Sequence, residues 1–283
     1  MVKEVTQTTT PPTENTIDTL FTSAKKVLQR TGVKAFVWGP PGVGKTHFAL
    51  SFPPPIYAIS TEFGVAQLLG QFPDKDIRIM ECTEPYSEPA VIKRTGEADT
   101  QPFSVDPILS LKAVEKATEA LKDVKEGTII LDSISDIWAW LGAWIEINAD
   151  KQYKSGGMMR TEWGKANARY RTIIMRLISR PTNFVMTSRS QAVYDGTGNV
   201  TQQTKFKAQQ ETPYFADLIV KLDKKAQANV DITTGKQTGF TMKRSGTIEK
   251  CRYGDVVNTG LSDTTYDGLK KALKGVVSKE VFG

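Results

Sequence analysis

Apolar residues recur along the chain in two alternating rhythms. Short continuous runs predict buried strands: KAFVWG ending at Gly39, IYAIS (56–60), IRIME (77–81), GTIILDS (127–133), NFVMTS (183–188) and DLIVKL (217–222). A strand covered on both faces has no polar side to show. Between these runs the spacing changes to the three-and-four rhythm of helices. Ile17, Leu20, Phe21, Ala24 and Leu28 predict a helix over 16–31, and another starts near Lys45. Ile108, Leu111, Val114 and Leu121 mark a helix over 108–125, and Ile134, Ile137, Trp138, Leu141 and Ile145 one over 134–149. A long basic helix is expected over 161–179, with Tyr170, Ile173, Ile174 and Leu177 as its apolar face. Strands alternating with helices predict an α/β fold, a mostly parallel central sheet flanked by helices.

The remaining stretches break both rhythms. Residues 1–15 are polar and rich in Thr and Pro, which predicts a disordered tail. Residues 83–107 hold Pro85, Pro89, Pro102 and Pro107 and read as an insertion with a small hairpin around Ile92–Phe103. Residues 228–258 read as a hairpin or meander, and 263–274 as a closing helix. The expected division is the tail over 1–15, a core over 16–225, and a C-terminal β-hairpin and helix extension over 226–283.

Composition removes several kinds of chemistry. No run approaches the roughly 18–20 apolar residues a bilayer crossing needs. The first residues lack an apolar signal core, so a cytoplasmic protein is expected. Cys82 and Cys251 make neither a disulfide framework nor a four-ligand zinc site by themselves, and His47 is the single histidine. Ser-His-Asp catalysis and His-rich metal chemistry are therefore not expected. The net charge of +6 is unevenly spread: residues 1–150 carry 14 Lys+Arg against 20 Asp+Glu, residues 151–283 carry 23 against 11. A basic half points to a polyanionic partner, or to nothing more than a solvated surface.

The strongest local signal is Gly39-Pro40-Pro41-Gly42-Val43-Gly44-Lys45-Thr46, which fits G-x-x-x-x-G-K-[ST] between a predicted strand and a predicted helix. Gly42 and Gly44 let successive backbone N–H groups face phosphate oxygens, and the helix start adds positive potential. Lys45 would reach the β and γ phosphates and the Thr46 hydroxyl would ligate Mg²⁺. His47 follows directly, as a helix-face residue at the rim of this nucleotide site. Asp132, ending an apolar strand, is expected to hold Mg²⁺, or else to cap the next helix. Ser133 follows it, so the group that deprotonates water must lie elsewhere. Glu62, just past strand 56–60, is the candidate if that strand neighbours the one ending at Asp132.

Residues 151–180 carry Lys151, Lys154, Arg160, Lys165, Arg169, Arg171, Arg176 and Arg180 against Glu162, with Tyr153, Trp163 and Tyr170 interleaved. Cations neutralise phosphates and exposed rings stack bases, so Lys151, Lys154, Arg160, Trp163 and Lys165 are candidate contacts to single-stranded DNA. From Tyr170 to Leu177 the same helix reads as core. A second candidate loop spans 192–206, with a turn at Asp195–Asn199. Trp138, Trp140 and Trp144 read as core or subunit packing.

Together GPPGVGKTHFALSFP, PIYAISTEFG, TIILDSIS, RTEWGKANARYRTIIMRLI and FVMTSRSQ resemble the RecA-like branch of P-loop ATPases over roughly residues 30–225. The likeness is greatest to the compact RecA-like nucleotide-binding proteins of bacteriophages, some of them single-strand annealing or recombination proteins. The resemblance implies an ATP- and Mg²⁺-dependent core that assembles on single-stranded DNA as a ring or filament, and a virus-encoded origin. It implies a γ-phosphate sensor in NFVMTSRSQ, with Gln191 first and Ser188 second. It also implies that Lys205 or Lys207 reaches into a neighbouring subunit's site, leaving a monomer a poor ATPase. Three alternatives remain open: a nucleotide-driven protein remodeller or loader, a small-molecule phosphotransferase, and an ATP-gated DNA-binding module with little turnover.

Overall fold

A computed structural model describes residue 21 and residues 32–85, 92–94, 97–99, 105–148, 160–230 and 237–275. In chain order the strands are β1 (Lys34–Gly39), β2 (Ile56–Ser60), β3 (Ile77–Glu81), β4 (Ile92–Arg94), β5 (Glu97–Asp99), β6 (Thr128–Asp132), β7 (Asn183–Tyr194), β8 (Val200–Phe206), β9 (Leu218–Val230), β10 (Gln237–Cys251) and β11 (Gly260–Leu261). The helices are α1 (Lys45–Leu50), α2 (Pro107–Ala120), α3 (Ile134–Asn148), α4 (Arg160–Ile178), α5 (Thr212–Phe215) and α6 (Tyr266–Ala272). The expected helix over 16–31 lies outside the described residues, except for Phe21, as does the tail over 1–15.

The main sheet runs β11-β10-β9-β1-β7-β6-β2-β3. From β9 to β3 every pairing is parallel; β10 and β11 continue the sheet antiparallel. β1 and β6 are buried at every position, which is why their sequences show no polar alternation. Along β1 the two faces feed two cores. Ala35 and Val37 pack with Phe48, Leu50 and Phe52 around α1, and with Leu269 of α6. Phe36 and Trp38 pack with Leu111, Leu141 and Ile174 of α2, α3 and α4. The expected apolar face of α4 is there: Tyr170, Ile173, Ile174 and Leu177 are all buried.

Several boundaries differ from the sequence pattern for identifiable reasons. α2 begins where Asp106 accepts hydrogen bonds from the N–H groups of Ile108 and Leu109 (2.8 and 2.9 Å), with Pro107 in the first turn. It stops at Ala120 rather than 125, because the chain must turn through Gly127 to enter β6. A Cβ there would lie 2.2 Å from the Pro55 carbonyl oxygen. β7 continues six residues past its apolar run and pairs with β8, so the expected loop at 192–206 is a β-hairpin. Within the 83–107 insertion, β4 and β5 form a separate antiparallel pair. The expected boundary at 225/226 falls inside β9, which pairs in parallel with β1 and antiparallel with β10. The C-terminal hairpin and helix are thus continuous with the central sheet. Among the described residues no helix is long and apolar enough to cross a membrane.

Candidate active site

The turn leaving β1 supplies the first groups. Gly42 (φ 74°) and Gly44 (φ 94°) take left-handed conformations, and Gly44 stands at the start of α1. This aims backbone N–H groups outward where the helix dipole is positive. Lys45 Nζ spans the turn, donating to the Gly39 and Pro40 carbonyls at 3.1 and 3.0 Å. Val43 is buried in the apolar core, so it anchors the turn rather than facing the site.

The neighbouring strand ends bring the acids. β2 pairs with β6 so that Ser60 stands beside Asp132, which places Glu62 and Asp132 at the same carboxyl edge. A cavity of about 330 Å³ opens there, lined by Gly42, Gly44, Lys45, Thr46, His47, Glu62, Asp132, Arg189 and Arg244, together with Pro41, Leu68 and Gln71. Burial pushes the Asp132 carboxyl up, opposed by hydrogen bonds from Thr187 and Thr46. Burial pulls Lys45 down, opposed by Glu62 and Asp132. His47 packs against Phe72 with centroids 5.1 Å apart, and burial followed by Arg244 and Lys75 disfavours its charged form.

Arg189 was not singled out by sequence reasoning, yet it is central. Its Nε lies 3.0 Å from Glu62 Oε1 and its Nη2 lies 2.7 Å from Asp136 Oδ1. Asp136 also accepts from the Thr61 and Ser133 hydroxyls at 3.0 and 2.9 Å. Burial raises the Asp136 carboxyl, with Arg189 pulling the other way. Arg189 lies inside NFVMTSRSQ, the segment expected to supply the γ-phosphate sensor. Arg244, the other missed cation, comes from β10 and lies over Gly44; a Cβ on that glycine would be 3.6 Å from the Arg244 side chain. A more open cavity of about 800 Å³ adjoins the first, sharing Gly42 and Arg244 and bordered by Met242 and Asp263.

The other expected residues fall elsewhere. Gln191 is not at the phosphate turn: it donates to the Phe206 carbonyl (3.3 Å) and lines a separate cavity with Lys205. Ser188 is buried, its hydroxyl 3.1 Å from that of Ser135. Lys207 hydrogen-bonds through its backbone N–H to the Arg189 carbonyl at 2.7 Å. Trp163 lies on α4 with its ring centroid 5.6 Å from that of Trp138, and Lys165 pairs with Glu162 at 2.9 Å. Lys151 and Lys154 lie outside the described residues, as does the Arg160 side chain.

A phosphate-binding turn between a buried strand and a helix, with a buried aspartate on the next strand but one, defines a P-loop nucleotide site. The family described as "AAA domain" matches residues 31–272, and the chain belongs to that family. It is a P-loop ATPase. Among solved structures the chain is similar to one described as "Structural and biochemical analysis of a prototypical ATPase from the type III secretion system of pathogenic bacteria", at 14% identity and a TM-score of 0.40. That match covers 68% of this chain and 51% of the other, so this chain spans about half of its length. No curated protein matches the chain.

Proposed function

We propose that the protein is a single-stranded-DNA-dependent ATPase of the RecA-like type, acting in recombination, annealing, repair or replication. The observation that carries the hydrolytic part is the convergence of Lys45, Thr46, Asp132 and Glu62 on one cavity. The turn N–H groups and Lys45 would hold the phosphates, and the adjoining cavity that shares Gly42 would offer room for the base and sugar. Thr46 and Asp132 offer a hydroxyl and a buried carboxylate, hard oxygen donors that fit Mg²⁺. When bound there, Mg²⁺ would neutralise charge on the β and γ phosphates. Glu62 accepts the proton of the attacking water. Arg189 donates to Oε1 of that carboxylate, which orients Glu62 and leaves its other lone pairs for the proton. Arg189 and Arg244 then stand within the same cavity to offset charge growing on the transferred phosphoryl group. Both are groups of this chain, so this reading draws its charge-offsetting cations from the same subunit.

The DNA part rests on the basic second half of the chain and on Trp163, which keeps 37% of its surface exposed beside Trp138. Hydrolysis is measured with and without a single-stranded oligonucleotide. Glu62→Gln is expected to lower turnover by ~10²–10⁴-fold while leaving ATP binding intact, and Lys45→Ala to lose binding. Normal hydrolysis by Glu62→Gln would remove the base assignment. Turnover indifferent to the oligonucleotide at low salt would remove the DNA reading.

A further inference from the structure

Away from the phosphate turn, a cavity of about 440 Å³ opens between α3, α4 and the root of the β7–β8 hairpin. Trp138 and Trp163 form its aromatic wall. Its polar wall carries the carboxamide of Gln191, which donates to the Phe206 carbonyl and keeps its oxygen for a ligand, and those of Gln209 and Asn167, which bond each other at 3.5 Å; its charge comes from Lys205. Aromatic faces accept any flat ring, carboxamides present a donor and an acceptor together, and an ammonium suits a phosphate. These three demands meet in one kind of ligand: a planar heterocycle with hydrogen-bonding edges on an anionic backbone. In a duplex those edges are paired and the faces stacked, so only an unpaired base can enter.

We propose that this cavity is a pocket for one nucleobase of the bound single strand, stacked on Trp163, with its edge held by Gln191 and its phosphate by Lys205. This rests on the single-stranded DNA reading and adds to it a base-binding site apart from the phosphate turn. The placement also links the two sites. Gln191 is two residues along β7 from Arg189, whose side chain holds Glu62 and whose carbonyl accepts from the Lys207 N–H on the other side of the hairpin. A base seated against Gln191 and Lys205 therefore bears on the strand segment that restrains Glu62.

The test compares an oligo-dT with an oligonucleotide of equal length and charge made of abasic sugars, binding both to the full chain at moderate salt. The parent is expected to prefer oligo-dT and to show tryptophan quenching with it alone. Trp163→Ala should weaken oligo-dT binding by about 5- to 150-fold, the worth of one stacked base, and leave the abasic strand unaffected. Trp163→Phe should restore most of the loss. Gln191→Ala serves as a second variant, with ATP binding as the check that both fold. Equal affinity of the parent for the two strands would overturn the pocket while keeping the DNA reading. Binding of neither at low salt would remove both. Tryptophan emission that follows protein concentration instead of oligonucleotide would assign the cavity to a second copy of the chain and overturn the proposal.

Discussion

Asp132 shows what a functional residue costs the fold. Its carboxyl is buried, and burial favours its protonated form although Thr46 and Thr187 donate to it. Replacing it with Asn keeps a carbonyl acceptor and removes the buried charge. Asp132→Asn is therefore expected to raise the melting temperature by roughly 2–4 °C, the shift that about 1 kcal/mol gives in a chain of this size, while abolishing Mg²⁺-dependent hydrolysis. A variant with lower thermal stability would show that the carboxylate is adequately compensated in place. That Asp132, Lys45, Thr46 and Glu62 would come together was legible in the sequence, because Asp132 ends a buried strand and the others follow one at a short offset. Arg189 and Asp136 were not. Their roles come from each other, across 53 residues of chain, and no local pattern marks such a pair.

Among the elements, β1 depends most on its surroundings. Gly39 closes it at φ 156°, and a Cβ there would lie 2.2 Å from the Leu222 carbonyl oxygen of β9. Gly39→Ala must push the two strands apart at the point where the phosphate turn begins. It is expected to cost about 1–3 kcal/mol, as overpacking does, read as an earlier urea midpoint; an unchanged midpoint would mean the strands yield freely.

At the other end of β1, Lys34 donates to the Arg180 and Thr182 carbonyls at 2.6 and 2.5 Å. Burial lowers its ammonium from 10.5 to about 8, against the attraction of Asp217. Between those values the unfolded chain holds the extra proton, so this group's contribution to stability rises with pH from about 8 to about 10.5. The melting temperature of the parent relative to Lys34→Met should move in the parent's favour over that interval, and a constant difference would contradict the burial argument. The strands were read from their apolar runs because they are covered on both faces. The outer halves of β7 and β9 were missed because they leave the core: Tyr194 and Phe240, the latter on β10 opposite β9, are exposed, so burial imposed no pattern there.

At the scale of the molecule, the acidic and basic halves are not separate bodies. β1 lies between β7 and β9, so the first half of the chain is threaded into the second. Glu62 and Asp132 from the acidic half meet Arg189 and Arg244 from the basic one at one cavity, and Asp136, also from the acidic half, holds Arg189 from behind it. On the proposed DNA reading, the cations beyond this cavity meet the strand. Affinity for single-stranded DNA should fall on a log–log plot against salt with a slope of about −0.7 per phosphate contacted. Removing Lys205 should make that slope shallower by about 0.7. A slope unchanged in Lys205→Ala would place the strand on another surface. The sequence-level charge count anticipated the asymmetry but not the interleaving, since strand order is a non-local property.

The place of β1 in the sheet has a bearing on synthesis. The phosphate turn is translated well before both sheet neighbours of β1 and the guanidinium laid over Gly44. A nascent chain therefore emerges with its phosphate turn unsupported, and the turn gains its full sheet setting only after β9 has been translated.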